Sequence, residues 1–73
     1  MKKNQKFLLD KSTEEKIKIA AERLFMENGF SGTRTRDIAE AADINLALLN
    51  YYYRSKENLF NIIIMENWRN LSI

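Results

Sequence analysis

Cysteine, histidine and proline are absent from the 73-residue chain. Without thiols or imidazoles, disulfide scaffolds, zinc fingers, thiol nucleophiles and imidazole bases are all excluded. Valine is also missing, glycine occurs only twice, and no segment alternates strictly between apolar and polar residues. An all-β domain and a loop-rich design are therefore disfavoured. The longest apolar runs, such as Ile62–Met65, are four residues, far short of a membrane span. Near the N-terminus only Phe7-Leu8-Leu9 is apolar, too short for a signal-peptide core, so a reducing cytoplasm is the expected compartment. What is present is 45% hydrophobic and 30% charged residues, the balance of a globular chain with room for one small core.

Charge is mildly positive, with 12 Lys+Arg against 10 Asp+Glu. Such a balance does not by itself mark a nucleic-acid binder. Its distribution says more. Residues 1–11 are lysine-rich and without periodicity, and form a basic N-terminal tail. No arginine there supports insertion into a groove, so solubility is the preferred role for that tail.

From residue 12 onward the pattern is helical. Ser12-Thr13-Glu14-Glu15 fits a capping box with Ser12 as N-cap, and Ile17, Ala20, Ala21, Leu24 and Phe25 follow at helical spacing. Asn28-Gly29 stops this first helix, and Phe30 folds back on its end. Thr33 and Thr35 offer caps for a second helix, with Asp37 in the first turn and Ile38, Ala39 and Ala42 on one face. Asp43-Ile44-Asn45 makes a turn, and a third helix runs from about Leu46 to Tyr53. Ser55 caps a fourth, from Lys56 toward the end of the chain, with no stop signal. The fold expected is all-α: a small helical bundle with a helix-turn-helix and the start of a longer fourth helix.

Two short helices across a three-residue turn are the informative part. Ala39 must be small where the partner helix crosses, Ile44 fills the space under the turn, and Leu49 and Tyr53 anchor the third helix. At about 100° per residue, Ala47, Leu48 and Tyr51 then point away from the anchored face. In the fourth helix Leu59, Phe60 and Ile63 can cover the others, Ile62 lies at the border, and Met65 and Trp68 point elsewhere.

Three stretches carry a resemblance: Glu27-Asn28-Gly29-Phe30, Thr33–Ala42 (TRTRDIAEAA) and Leu49–Phe60 (LNYYYRSKENLF). In order and spacing they resemble the DNA-binding domain of the TetR family of bacterial transcription regulators, over roughly residues 13–60. Asp43 stands where the family usually has glycine. Leu46, Ala47 and Leu48 stand where lysine, glycine and threonine are frequent, and Tyr53 replaces a common phenylalanine.

The resemblance implies a helix-turn-helix domain over residues 12–60, with residues 61–73 continuing the fourth helix toward a C-terminal regulatory domain. It implies a pseudo-palindromic duplex DNA operator, a homodimer formed through that further domain, a small-molecule effector, and repression as the usual outcome. A recognition helix reaches bases with its N-terminal side chains, so Asn45, Leu46, Ala47, Leu48 and Asn50 are the expected base-facing residues. Thr35, Arg36, Tyr51, Tyr52 and Lys56 are the expected phosphate contacts. The alternative for Asn50 is a solvated polar residue, for Arg36 an ion pair with Glu40, and for Tyr52 a place in the core. No catalytic, cofactor or metal site is expected, and the residue inventory argues against an enzyme. Two other readings compete: a helix-turn-helix of a DNA-processing protein, and a helical module whose Leu/Tyr face binds a protein.

Overall fold

A computed structural model describes the backbone of residues 11–71 and the side chains of residues 12–68. Residues 1–10 of the expected basic tail lie outside the described residues, and Lys11, expected to end that tail, belongs to the first helix. Four helices follow one another: α1 (Lys11–Asn28), α2 (Thr35–Ala42), α3 (Leu46–Tyr53) and α4 (Lys56–Leu71). No strand occurs among the described residues. Helix α1 packs on α2 and α4, α2 on α3, and α3 on α4.

The core is most of the set that helical spacing anticipates; Leu24 and Phe60, expected with it, pack against it only partly buried. It comprises Ile17, Ala20, Ala21 and Phe25 of α1, Ile38, Ala39 and Ala42 of α2, Leu49 and Tyr53 of α3, and Leu59 and Ile63 of α4. Burying side chains such as Ile17, Ile38, Leu49 and Leu59 stabilises the fold by roughly 1.5–3 kcal/mol each. Phe30 indeed folds back, its ring centroid 5.7 Å from that of Phe25, and Phe60 closes the triad at 5.2 and 4.9 Å.

The helix ends correct two expectations. α1 already includes Lys11, so Ser12 lies within its first turn and is not the N-cap. Neither Thr33 nor Thr35 caps α2. Arg34 is its N-cap, and its backbone N–H donates to the Asp37 carboxylate at 3.0 Å. Thr33 is fully buried instead, its single hydroxyl hydrogen shared between the carbonyl oxygens of Leu24 (3.1 Å) and Gly29 (2.9 Å). Spacing offers the Thr33 oxygen as an acceptor at a helix start; tertiary packing makes its hydroxyl a donor to two carbonyls instead.

Backbone geometry sets both connections. Gly29 has φ +81° and its N–H donates to the Phe25 carbonyl at 2.8 Å, the left-handed stop expected of glycine. Gly32 is needed for space, because a Cβ there would collide with the Asn28 carbonyl oxygen. Asp43 takes the left-handed geometry itself, φ 61° and ψ 45°, so the glycine conformation survives without the glycine. Aspartate tolerates it better than most residues, at a cost of roughly 1–2 kcal/mol. The Ile44 N–H then donates to Ala39 at 3.0 Å, and Ile44 packs partly under the turn. Ser55 caps α4 as expected, its hydroxyl accepting the Asn58 N–H at 3.0 Å.

Candidate nucleic-acid interface

Helix α3 is built to hold one face still and present the other. Leu49 and Tyr53 are buried one turn apart, while Ala47, Asn50 and Tyr51 are exposed and Leu48 is half-buried outside the core. Asn45 starts the helix: its carboxamide oxygen accepts the Leu48 N–H at 2.8 Å, which fixes the first turn. Of the five residues expected to face bases, Asn45, Ala47 and Asn50 are exposed and Leu48 is half-buried outside the core, with the Asn45 oxygen already engaged in the cap. Leu46 departs from the expectation. It is half-buried against the core, so it braces the helix rather than standing free for a base.

The expected phosphate contacts divide in the same way. Arg36 is exposed, and among the described residues it forms no ion pair with Glu40. Tyr51 is 66% exposed, whereas Tyr52 packs partly on the core, edge-on to Tyr51 at 5.8 Å. The core alternative holds for much of the Tyr52 ring. Thr35, Arg36 and Lys56 share one open groove with Arg34, Leu46 and Glu57, so α2 and the start of α4 bring their polar side chains together.

Lys56 does more than the sequence reading asked of it. Its ammonium donates to the carbonyl oxygens of Phe30 (2.8 Å) and Thr33 (2.9 Å) and lies 4.3 Å from the Phe30 ring centroid. Two of three donors are therefore spent on the α1–α2 connection, and one is left for an anion in the groove. The side chain is first a clamp between α4 and that loop. Nothing in the local pattern signals this, because the acceptors are backbone carbonyls at least 23 positions away.

Two arginines were passed over. Arg34 lines the groove with a 79% exposed side chain, held only by a 3.8 Å contact to Asp37. Arg54 is exposed directly after α3 and adopts a positive φ of 62°. Their signal was present in the sequence: both are cations bordering helices already assigned to the interface.

Electrostatics keep the floor of the site neutral. Burial pushes the Tyr53 phenol up to about 12, and the acidic side chains of Glu14, Glu66 and Glu15 add to the effect. The hydroxyl that replaces a core phenylalanine hydrogen is thus un-ionised throughout the physiological range. No cluster of acidic residues among the described ones could hold a metal ion, and no described helix is long and apolar enough to cross a membrane.

Comparison with known proteins agrees with this geometry. Residues 19–63 match the family described as "Bacterial regulatory proteins, tetR family". Over 61 residues the chain is 41% identical to "Probable HTH-type transcriptional regulator YttP" of Bacillus subtilis (strain 168), covering 84% of this chain and 30% of that protein. Over 46 residues it is 37% identical to "HTH-type transcriptional regulator QacR" of Staphylococcus aureus (strain Mu50 / ATCC 700699), covering 63% of this chain and 24% of the relative. Crystal structures of HlyIIR mutants superpose with TM-scores of 0.73 and 0.72, at 38% and 39% identity. The first of them covers 75% of this chain and 31% of its own. The chain spans less than a third of the length of the curated relatives it matches.

Proposed function

The chain belongs to the tetR family of bacterial regulatory proteins, and from that premise we propose that it is the DNA-reading part of a sequence-specific transcriptional regulator. One observation carries the reading. An uncharged, accessible face of α3 is braced from behind by buried Leu49 and Tyr53 and bordered by Arg34, Arg36, Arg54 and Lys56. Cations at the rim meet phosphates, which position; the α3 face meets base edges, which specify.

The mechanism is the one that membership of this family implies. Two copies of α3, one per subunit of a homodimer, enter successive major grooves about 34–36 Å apart on a pseudo-palindromic site. Asn45, Ala47, Leu48 and Asn50 meet bases. Arg36, Thr35, Tyr51 and the remaining Lys56 donor meet phosphate, with Arg34 beside them. Tyr52 and Leu46 support this surface from the core side. The second part of α4, to Leu71, runs toward a C-terminal regulatory domain, where a small molecule binds and changes the spacing of the two α3 helices, so releasing the operator. Exposed Ile64, Met65 and Trp68 are the apolar surface by which α4 meets that domain. The site of action is the cytoplasm, where the duplex lies.

Salt dependence tests the proposal. Duplex binding by the full-length protein should fall steeply with ionic strength through counterion release. Arg36→Gln should weaken binding to all sequences alike and lower the log–log salt slope by about 1. Binding of a protein partner through the same face, insensitive to salt, would replace this reading with the interaction-module one.

A further inference from the structure

Helix α3 carries the sequence LALLNYYY and no charged residue. That restricts what it can read. The major-groove edge of guanine presents two acceptors, best met by a bidentate arginine or lysine, and the cytosine edge presents a donor, best met by a carboxylate. The helix offers neither, nor a serine or threonine hydroxyl. It does offer Leu48 and Ala47, whose side chains are aliphatic and accessible, and Asn50, whose exposed carboxamide matches the adjacent donor and acceptor of adenine. The Asn45 carboxamide oxygen is spent on the Leu48 N–H.

The cations nearby are placed for other work. Lys56 is held by the Phe30 and Thr33 carbonyls, and Arg34 leans toward Asp37. Arg36 lies on α2, the helix of such a pair that crosses the backbone. Arg54 follows the C-terminal end of α3, whereas bases are met near the N-terminal end.

We infer that α3 reads thymine methyl groups through Leu48 and Ala47, with Asn50 on adenine, so that the operator pairs beneath it are A·T. The inference rests on the DNA-binding reading above and specifies the ligand of that same face. The thymine C5-methyl is the one apolar group on the major-groove edges, and covering it with an aliphatic side chain removes both from water. Specificity then comes from apolar contact, while the salt-dependent part of affinity comes from the rim.

The test uses the full-length protein. Sites are first selected from random duplexes, and each thymine under α3 is then replaced by deoxyuridine, which keeps pairing and removes only the methyl. A·T pairs should dominate the selected half-site, and each contacted methyl should be worth about a fourfold change in affinity when removed. In Leu48→Ala the deoxyuridine effect should vanish at one position. Leu48→Met, which keeps an aliphatic chain of similar volume, should retain it, and unchanged melting of both variants shows that folding is intact. Selected half-sites dominated by G·C pairs overturn the inference, as does a deoxyuridine effect that is nil or identical in Leu48→Ala. Loss of all salt-sensitive duplex binding in the wild-type protein would overturn the DNA-binding reading itself, and the inference with it.

Discussion

The two halves of α4 have similar composition and different surroundings. In the first, Leu59 is fully buried, Ile63 is 6% exposed, and Phe60 stacks edge-on with Phe25 and Phe30. In the second, Ile64, Met65 and Trp68 are 47%, 61% and 68% exposed. The polar ties differ as well. At the start, Lys56 donates to two neutral carbonyls and covers a ring; further along, Glu66 accepts from Lys18 of α1 at 2.8 Å and Asn67 donates to Glu22 at 3.2 Å. Glu66 and Asn67 occupy the side toward α1, while Ile64, Met65 and Trp68 keep much of their surface exposed. One helix thus belongs to the core at one end and offers a surface at the other.

Truncation should separate the halves most sharply. Leu59→Ala should destabilise the domain by about 2–5 kcal/mol, because it opens a cavity among packed side chains. Met65→Ala should cost less than about 0.5 kcal/mol, as for other surface positions. Denaturant titration of both variants measures the contrast. A cost for Met65→Ala comparable with that for Leu59→Ala would mean that the second half is packed within the domain, and the comparison would fail.

Much of this was legible in the sequence. The 3.6-residue spacing placed Ile17, Ala21, Ile38, Leu49 and Leu59 inside, and the same spacing set Met65 and Trp68 outside. Local rules identify faces well because a helix face is a property of neighbours in sequence. They fail where a side chain's partner is distant. Spacing offers Thr33 as a cap, and it is a buried tie between carbonyls of α1 and its loop; the resemblance offers Lys56 as a phosphate contact, and it is also a clamp. Leu46 lies three residues before Leu49 and seven before Tyr53, so helical spacing itself puts it on the anchored face, and only the resemblance turned it toward bases; Tyr52 sits at the border of that face. Asp43 shows the opposite case: a local departure from glycine at a position that still takes the left-handed geometry glycine favours.

The Lys56 clamp gives a second, somewhat smaller contrast. Lys56→Met retains the aliphatic stem and removes two charge-assisted hydrogen bonds together with the cation–ring contact. The expected cost is about 1.5–3 kcal/mol, since the lost bonds involve a charged donor and partly buried acceptors. The loss should persist in about 1 M salt, because the acceptors carry no net charge to screen. Lys56→Arg should recover only part, as a planar guanidinium does not reproduce the compact ammonium between the Phe30 and Thr33 carbonyls. Melting of the variants at low and high salt measures both effects.

The tie between Lys18 and Glu66 should be the weakest of the three and the one that conditions can switch. Lys18 has little exposure, but Glu66 is about half exposed, so the pair should contribute less than about 1 kcal/mol. Lys18→Gln should cost that much at low salt and almost nothing in about 1 M salt, opposite to Lys56→Met. The pH dependence has a definite sign. The hydrogen bond that Lys18 donates to Glu66 raises the Lys18 pKa above its ordinary value of 10.5, against a smaller opposing effect of burial, with the charges of Glu66, Glu15 and Glu14 assisting. A raised folded-state pKa means that the stabilisation is complete below the unfolded value and is lost as pH rises through the folded one. The difference in stability between wild type and Lys18→Gln should therefore be constant through neutral pH and shrink above about 10.5. Tyr53, whose phenol also titrates in the alkaline range, is common to both proteins and drops out of that difference. Melting curves of the pair across this range, at low salt, decide the matter: a difference that grows with alkalinity would show that the ammonium is destabilised in the fold and that the second half of α4 is held by something other than this pair.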